Sequence, residues 1–315
     1  AQLPPGLDRG CARANAPPMP SRHPKSGHAT PPGRLEAAFD AAHNGNRAAL
    51  LAYILAGHPS PGLSERAVDR LRAGGVDILE FGLPSAAPFL DGPVITAAHE
   101  AARRQGVDSC DALALLSRIR RAHPDLPIVA MGYTDAIAAS AAGVDGPRTN
   151  KPHGAAGFAE RLAAAGADAL LMVGADDALS ATLAGACAGA GLASIATVGR
   201  PNDTPLSPPG AGFLYYRAGQ GRSGGPMRAF ATIETDLATW RRRSKLPVVA
   251  GFGIKQAADV ARLSGSVDGV VVGSAEVDRV AALADDAEAG LAGIPTFAAA
   301  LRGALSGAEV AELDG

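Results

Sequence analysis

The chain has 315 residues, of which 47% are hydrophobic, and it carries 29 Lys and Arg against 31 Asp and Glu. The net charge of −2 argues against a nucleic-acid or anionic-membrane binder, because either function needs a basic surface. Three cysteines without paired spacing argue against a disulfide framework and a cysteine-rich zinc site, and no apolar run reaches the roughly 20 residues of a membrane span. We therefore expect a soluble, cytoplasmic protein of enzyme size.

The first 33 residues differ in composition from the rest of the chain. They hold eight prolines and very few large apolar side chains, so they bury too little surface to offset the entropy of ordering. Residues 1–33 are therefore predicted to be a disordered extension. Helical periodicity begins at Arg34, which predicts an N-terminal helix, a folded domain over residues 34–303 and a short tail over 304–315.

Eight short apolar runs alternate with helical stretches after this point. Most of the intervening helices end in Gly, and several of the next runs open with Asp, a pattern typical of helix-to-strand connections. Eight such units in about 250 residues predict a (β/α)8 TIM barrel of the α/β class. A doubly wound open sheet is the alternative, but no GxGxxG motif follows the first run. The predicted strands cover residues 50–56, 76–82, 126–132, 167–173, 192–198, 211–217, 246–252 and 267–273.

Two carboxylates lie where a barrel of this type places its working residues, at the carboxyl end of a strand and in the following loop. Glu80 interrupts the apolar second strand, and Asp91 follows in the next loop. A carboxyl group among apolar neighbours has a raised pKa and can exchange protons near neutral pH. The alternative interpretation is that Glu80 pairs with an arginine inside the barrel and that Asp91 caps a turn.

Glycine turns after the seventh and eighth strands indicate an anion site. Gly253 lies in the first turn, and Gly273 and Ser274 lead into a helix in the second, where free N–H groups can hold a phosphate. The glycine-rich loop 217–225, which contains Ser223 and Gly224, is typical of a mobile lid. The seven histidines show no metal-binding spacing, so no metal site is expected.

Four motifs together resemble the tryptophan synthase α chain family. They are LAGHP at 55–59, EFGLP at 80–84 with DGP at 91–93, GFGI at 251–254 and GSA at 273–275. The resemblance extends over about residues 34–302 and implies a (β/α)8 barrel. It also implies a lyase of tryptophan biosynthesis that splits indole-3-glycerol phosphate into indole and glyceraldehyde 3-phosphate, a retro-aldol reaction without metal or organic cofactor.

The resemblance assigns roles to particular residues. Glu80 is the implied general acid–base group, and Asp91 the group that holds the indole N–H. The implied phosphate ligands are the backbone N–H groups of Gly253, Gly273 and Ser274, with Gly224 from the lid. Phe252 is implied to lie beside the indole.

The chain also departs from the family pattern, and each departure carries an expectation. The family's Ser-Asp-Pro is replaced by Ala86, Ala87 and Pro88, which removes an aspartate that serves contact with the β chain. A tyrosine of the sixth strand is matched by Phe213, and a two-residue insertion is needed for Ser223 to take the position of the lid's threonine. Two alternatives follow: an enzyme of the same fold for another phosphorylated substrate, and a non-catalytic relative of the α chain.

Overall fold

The computed structural model describes residues 33–141, 154–201, 211–219, 222–223, 228–251, 253–254, 256–284 and 286–306. Eight parallel strands form a closed barrel in which each strand pairs with its neighbours in sequence, and the first strand pairs with the last. The predicted TIM barrel is therefore confirmed. The strands are β1 (Ala49–Leu55), β2 (Ile78–Gly82), β3 (Ile128–Tyr133), β4 (Ala169–Val173), β5 (Ala193–Val198), β6 (Ala211–Arg217), β7 (Val248–Gly251) and β8 (Gly269–Val272).

Helices surround the barrel in the order expected for alternating β and α units. They are α1 (Arg34–Asn44), α2 (Pro61–Ala73), α3 (Pro93–Arg104), α4 (Ser109–Ala122), α5 (Thr134–Ala141), α6 (Gly154–Ala165), α7 (Asp177–Gly189), α8 (Phe230–Arg243), α9 (Ala257–Leu263), α10 (Ser274–Ala281) and α11 (Ala287–Leu305), with a 3-10 turn at Ala282–Ala284. Within the described ranges, no helix is long and apolar enough to cross a membrane.

Five of the predicted strands begin two residues too early, those now seen as β2, β3, β4, β7 and β8. The reason is that an apolar residue such as Val76 or Val267 precedes the Asp or Pro that leads into the strand. Four of these five apolar residues are buried and Leu246 is half-buried, but all five lie before the first residue of their strand. In these segments the buried apolar stretch therefore begins before the hydrogen-bonded strand, which is why the predicted start is too early.

The barrel interior is filled by alternate side chains of the strands, while the intervening ones pack against the helices. Ile78 of β2 belongs to the interior set, and Glu80, two residues further on, faces the same way. Helix α1 closes the amino end of the barrel, where Phe39 packs edge-to-face on Phe213 with ring centroids 5.8 Å apart. Glu80 thus points into the barrel, near its opposite end.

Three aspartates lie at the amino end of the barrel, each directly before a strand, and we call them the bottom aspartates: Asp77, Asp168 and Asp268. Each accepts the backbone N–H at the start of the neighbouring strand, from Leu50, Ile128 and Val248 respectively, at 2.8 Å. Each also lies against at least one arginine: Arg47 and Arg302 for Asp77, Arg34 and Arg120 for Asp168, and Arg241 for Asp268. The repeated Gly-to-Asp pattern in the sequence is therefore a structural device that fixes strand register.

Candidate active site

A small cavity of about 30 Å³ lies at the carboxyl ends of the strands. This volume holds only one or two water molecules, so a larger ligand enters only when part of the lining moves. The lining comes from five strands and the segments around them: Tyr53, Glu80, Asp91, Ile95, Met131, Tyr215, Ser223, Gly253, Ile254, Val271, Gly273 and Ser274. The predicted carboxylates and the predicted glycine turns thus meet at one site.

Glu80 is 1% exposed and lies opposite Tyr53 in the β1–β2 ladder. Its Oε1 atom has no hydrogen-bond partner, and within the described ranges no arginine pairs with it. Burial, and secondly the negative charge of Asp91, raise the pKa of the Glu80 carboxyl to about 8. The alternative interpretation of Glu80 as one half of an interior ion pair therefore finds no support in the described part of the chain.

Asp91 is 3% exposed and is surrounded by donors. The Tyr133 hydroxyl donates to Asp91 Oδ2 at 2.8 Å, and the Ser223 hydroxyl donates to Asp91 Oδ1 at 3.2 Å. His99 Nε2 lies 3.2 Å from Oδ2, a close contact that does not have the geometry of a hydrogen bond. The carboxylate faces side chains of β3, α3 and the lid, so it does more than cap the turn in which it lies.

Ser223 joins the lid to the Asp91 loop through three hydrogen bonds. Its hydroxyl accepts from Gly92 N at 2.8 Å besides donating to Asp91, and its backbone N–H donates to Leu90 O at 2.8 Å. Gly92 is needed here because a Cβ at this position would overlap the Ser223 carbonyl oxygen. The predicted lid residue thus lies directly on the predicted catalytic loop.

Two tyrosines complete the apolar wall around Glu80. The Tyr53 ring lies against Gly82 and the Tyr215 ring against Gly251, where any Cβ would overlap the hydroxyl group. Burial first, then the nearby carboxylates Asp91 and Glu80, raise the pKa of both phenols well above the usual value. Both hydroxyls therefore stay protonated at any physiological pH.

The prediction from sequence that Phe213 lies in the substrate pocket is wrong. Phe213 is fully buried against Phe39 at the amino end of β6, whereas Tyr215, two residues later on the same face, lines the cavity. The cavity therefore has a β6 tyrosine hydroxyl. If Tyr215 replaces Phe213 as the match to the family's β6 tyrosine, direct counting along the chain places Ser223 at the position of the lid's threonine. No two-residue insertion is then required.

The end of the cavity at which the sequence predicts an anion site is lined by Gly253, Gly273 and Ser274. Gly253 has a φ of +83°, a conformation that favours glycine, and Gly273 is the residue that precedes helix α10. The first N–H groups of a helix lack intrahelical partners and attract anions. Phe252 and Gly224, which the sequence placed beside the indole and the phosphate, lie outside the described residues.

Several residues at the site had no prediction from sequence. His99 and Tyr133 contact Asp91, and Tyr53 lies beside Glu80. The only signal for His99 is its spacing from Ile95 and Ala102 on the buried face of α3. Among the described residues, no group of three or more His, Cys, Asp or Glu side chains could hold a metal ion.

Comparison with known proteins agrees with the geometry. Residues 39–305 match the model of the family described as tryptophan synthase alpha chain. Similar proteins include the tryptophan synthase alpha chains of Rhizorhabdus wittichii, 33% identical over 251 residues, and Xanthomonas campestris, 36% identical over 259 residues. These alignments cover 78% and 81% of this chain, and 88% and 89% of the relatives.

Solved structures show the same likeness. Tryptophan synthase from Mycobacterium tuberculosis matches with a TM-score of 0.71 and 29% identity, covering 87% of this chain and 98% of that one. The alpha subunit from Legionella pneumophila matches with a TM-score of 0.74 over 87% of this chain and 99% of that one, and its 24% identity shows the fold alone.

Proposed function

The chain belongs to the tryptophan synthase alpha chain family, and we propose that Glu80 and Asp91 carry out the family's reaction in this protein. That reaction is the cleavage of indole-3-glycerol phosphate to indole and glyceraldehyde 3-phosphate. The observation that carries the residue assignment is a fully buried Glu80 oxygen that has no hydrogen-bond partner among the described residues and shares one cavity with Asp91 and the glycine turns.

In the proposed mechanism, protonated Glu80 donates its proton to C3 of the indole, and positive charge develops on the ring. Asp91 accepts a hydrogen bond from the indole N–H and stabilises this charge. The Glu80 carboxylate then takes the proton of the glycerol hydroxyl next to C3 as the carbon–carbon bond breaks. The bonding electrons return to the ring, indole and an aldehyde are formed, and Glu80 regains its proton.

The environments of the two carboxylates support this division of roles. A pKa of about 8 keeps Glu80 protonated at neutral pH, as the first step requires. Asp91, by contrast, accepts hydrogen bonds from the hydroxyls of Tyr133 and Ser223. Two carboxyl groups in such different surroundings can act as acid and as electrostatic stabiliser at the same pH.

We place the substrate phosphate at Gly253, Gly273 and Ser274, with Gly224 as a further ligand and Phe252 beside the indole. The left-handed Gly253 and the start of α10 support the phosphate position. Because the cavity holds about 30 Å³ while Ser223 contacts Asp91, substrate entry requires this loop to move away. Tyr215, not Phe213, supplies the aromatic wall from β6.

Alpha chains of this family work with a β chain, and we propose a β chain as the partner here as well. The loop after β2 lacks the family's contact aspartate at Ala86 and Ala87, but it presents Phe89, whose side chain is 49% exposed. Coupling between this chain and the β chain would then depend on apolar contact through Phe89. A cytoplasmic location is part of the same proposal.

The alternative of another phosphorylated substrate loses two of its supports. It relied on the absent β6 tyrosine and on a displaced lid hydroxyl, yet Tyr215 lines the cavity and Ser223 contacts Asp91. A third support, the proline-rich stretch 199–209, lies outside the described residues from 202 onward. A non-catalytic role is opposed by the joint placement of Glu80 and Asp91 in one cavity.

The test is release of indole from indole-3-glycerol phosphate by the purified protein, alone and with a β chain. Glu80→Gln is expected to lower kcat at least about 1,000-fold, because it removes the proton donor and acceptor of both steps. For the wild type, kcat/KM is expected to fall as pH rises through about 8, where the Glu80 carboxyl ionises. The exposed Glu288→Gln variant is the matched control and should behave like wild type.

Absence of indole under both conditions would contradict the proposal. Equal activity of Glu80→Gln and wild type would contradict the assignment of Glu80 while leaving the family reaction in place. A β chain that raises the rate would support the proposed partner, and a rate independent of it would remove the partner from the proposal.

A further inference from the structure

His99 is buried on helix α3 and contacts the Asp91 carboxylate. It is 2% exposed, and its Nε2 lies 3.2 Å from Asp91 Oδ2. Its other ring nitrogen, Nδ1, accepts the backbone N–H of Ser85 at 3.0 Å. A nitrogen that accepts a hydrogen bond carries no hydrogen, so the neutral ring must carry its proton on Nε2, facing Asp91.

The group that fixes this tautomer is itself held in place. The Ser85 hydroxyl donates to both carboxylate oxygens of Asp135 at 2.9 and 3.0 Å, and the backbone N–H of Ala86 donates to Asp135 Oδ2 at 2.8 Å. Asp135 lies in the first turn of α5, directly after β3. A chain of contacts therefore runs from Asp135 through Ser85 and His99 to Asp91.

The two oxygens of Asp91 have different partners. Oδ2 faces the Tyr133 hydroxyl and His99 Nε2, which come from β3 and α3. Oδ1 has the Ser223 hydroxyl, which belongs to the loop that must move for substrate to enter. Tyr133 thus donates to Oδ2, and His99 Nε2 lies beside the same oxygen without completing a hydrogen bond, whereas Oδ1 is left for a partner that changes.

We infer that His99 is a positioning residue that, together with Tyr133, fixes Asp91 Oδ2 so that Oδ1 is presented to the N–H of the substrate ring. This inference rests on the proposed function, since it assigns the receiving oxygen within the same site. His99 touches Asp91 and acts through it. Its effect is expected on the transition state, where the charge on the ring is largest, more than on substrate binding.

The first test compares His99→Phe, which keeps an aromatic ring without a donor, with His99→Gln, whose amide can place an N–H near the position of Nε2. We expect His99→Phe to lower kcat by about 10- to 100-fold, because the close polar contact with the charged Asp91 carboxylate is lost, with KM within about threefold of wild type. His99→Gln is expected to restore most of kcat. A loss confined to KM, or no rescue by Gln in a folded variant, would overturn the inference.

A double-mutant cycle separates positioning from a general structural effect. In an Asp91→Asn background, His99→Phe is expected to lower the residual kcat by less than about twofold, because the group through which His99 acts has already lost its charge. A loss of the same size as in wild type would show that His99 acts by another route.

The third readout does not depend on turnover and therefore distinguishes failure of this inference from failure of the proposed function. Imidazole 15N resonances of the full chain are expected to show His99 with the proton on Nε2, and these resonances should shift in Asp91→Asn. An Nδ1–H tautomer, or resonances that do not respond to Asp91→Asn, would overturn the inference even in a protein that releases no indole.

Discussion

The two ends of the barrel use carboxylates in opposite ways. At the amino end, the bottom aspartates each accept a strand N–H and lie against arginine, so their charges are compensated. At the carboxyl end, a Glu80 oxygen is fully buried with no partner in the part of the chain that the structure describes, and the pKa of this carboxyl is raised to about 8. Compensated carboxylates hold the strands together, whereas the uncompensated one retains a proton that it can transfer.

The amino end gives the largest expected effect on stability. Asp168→Ala removes the acceptor of Ile128 N and leaves Arg120, a 13% exposed side chain, without its carboxylate at 2.6 Å. We expect the free energy of unfolding to fall by about 3–5 kcal/mol, the usual result of breaking a largely buried ion pair. Urea unfolding measures this loss, and kcat/KM of the folded fraction should remain near that of wild type.

The matched control is Glu100→Ala, which removes one partner of an exposed ion pair on α3 with Arg104. It is expected to change the free energy of unfolding by no more than about 0.5 kcal/mol. Should Asp168→Ala leave stability unchanged but lower the rate of indole release, the division of roles between the two ends would be wrong.

Helix α10 holds another buried carboxyl group, Glu276, and this one, like Glu80, has an oxygen without a partner among the described residues. Glu276 is 1% exposed, and neither carboxylate oxygen has a hydrogen-bond partner among the described residues. Burial raises the pKa of this carboxyl to about 7, against the opposing charge of Arg279. Since Glu276 does not line the cavity, this uncompensated group is expected to affect stability directly.

Proton linkage gives the direction in which the contribution of Glu276 to stability changes with pH. A carboxyl with a higher pKa in the folded state binds more protons there, so its contribution is complete below the unfolded value of about 4.5 and is lost as pH rises through about 7. Glu276→Gln should therefore be more stable than wild type by about 3 kcal/mol at pH 8 and nearly equal to it at pH 4.5. Unfolding curves across this range test the expectation, and parallel pH dependences of the two proteins would contradict it.

Much of the fold follows from sequence because barrel strands are short apolar runs at regular spacing. The eight strands, the common face of Ile78 and Glu80, and the entry of strands through aspartate all have local signals, whereas the inward direction of that face is known only from the structure. Glu80 and Asp91 were found because a charged residue in or after an apolar strand is conspicuous. The function came from motifs that resemble a known family, not from periodicity.

The sequence did not predict which residue on a given strand or helix face reaches the site, for a physical reason. A strand pattern repeats every two residues, so Phe213 and Tyr215 face the same way, and only the position along the barrel axis tells which one reaches the cavity. His99 shows the same limit on a helix, since a buried face does not reveal which partner a polar side chain meets. Contacts between α3, β3 and the lid exist only once the barrel has closed.

The most direct test of the central claim is the titration of the Glu80 carboxyl itself. Infrared difference spectra between wild type and Glu80→Gln, recorded across pH, isolate the signal of this one protonated carboxyl. The structure predicts a protonated Glu80 at pH 7 that ionises near pH 8, well above the usual value of 4.5. A Glu80 that is already ionised at pH 6 would contradict the account, because a compensated carboxylate there would have no proton to give to the substrate.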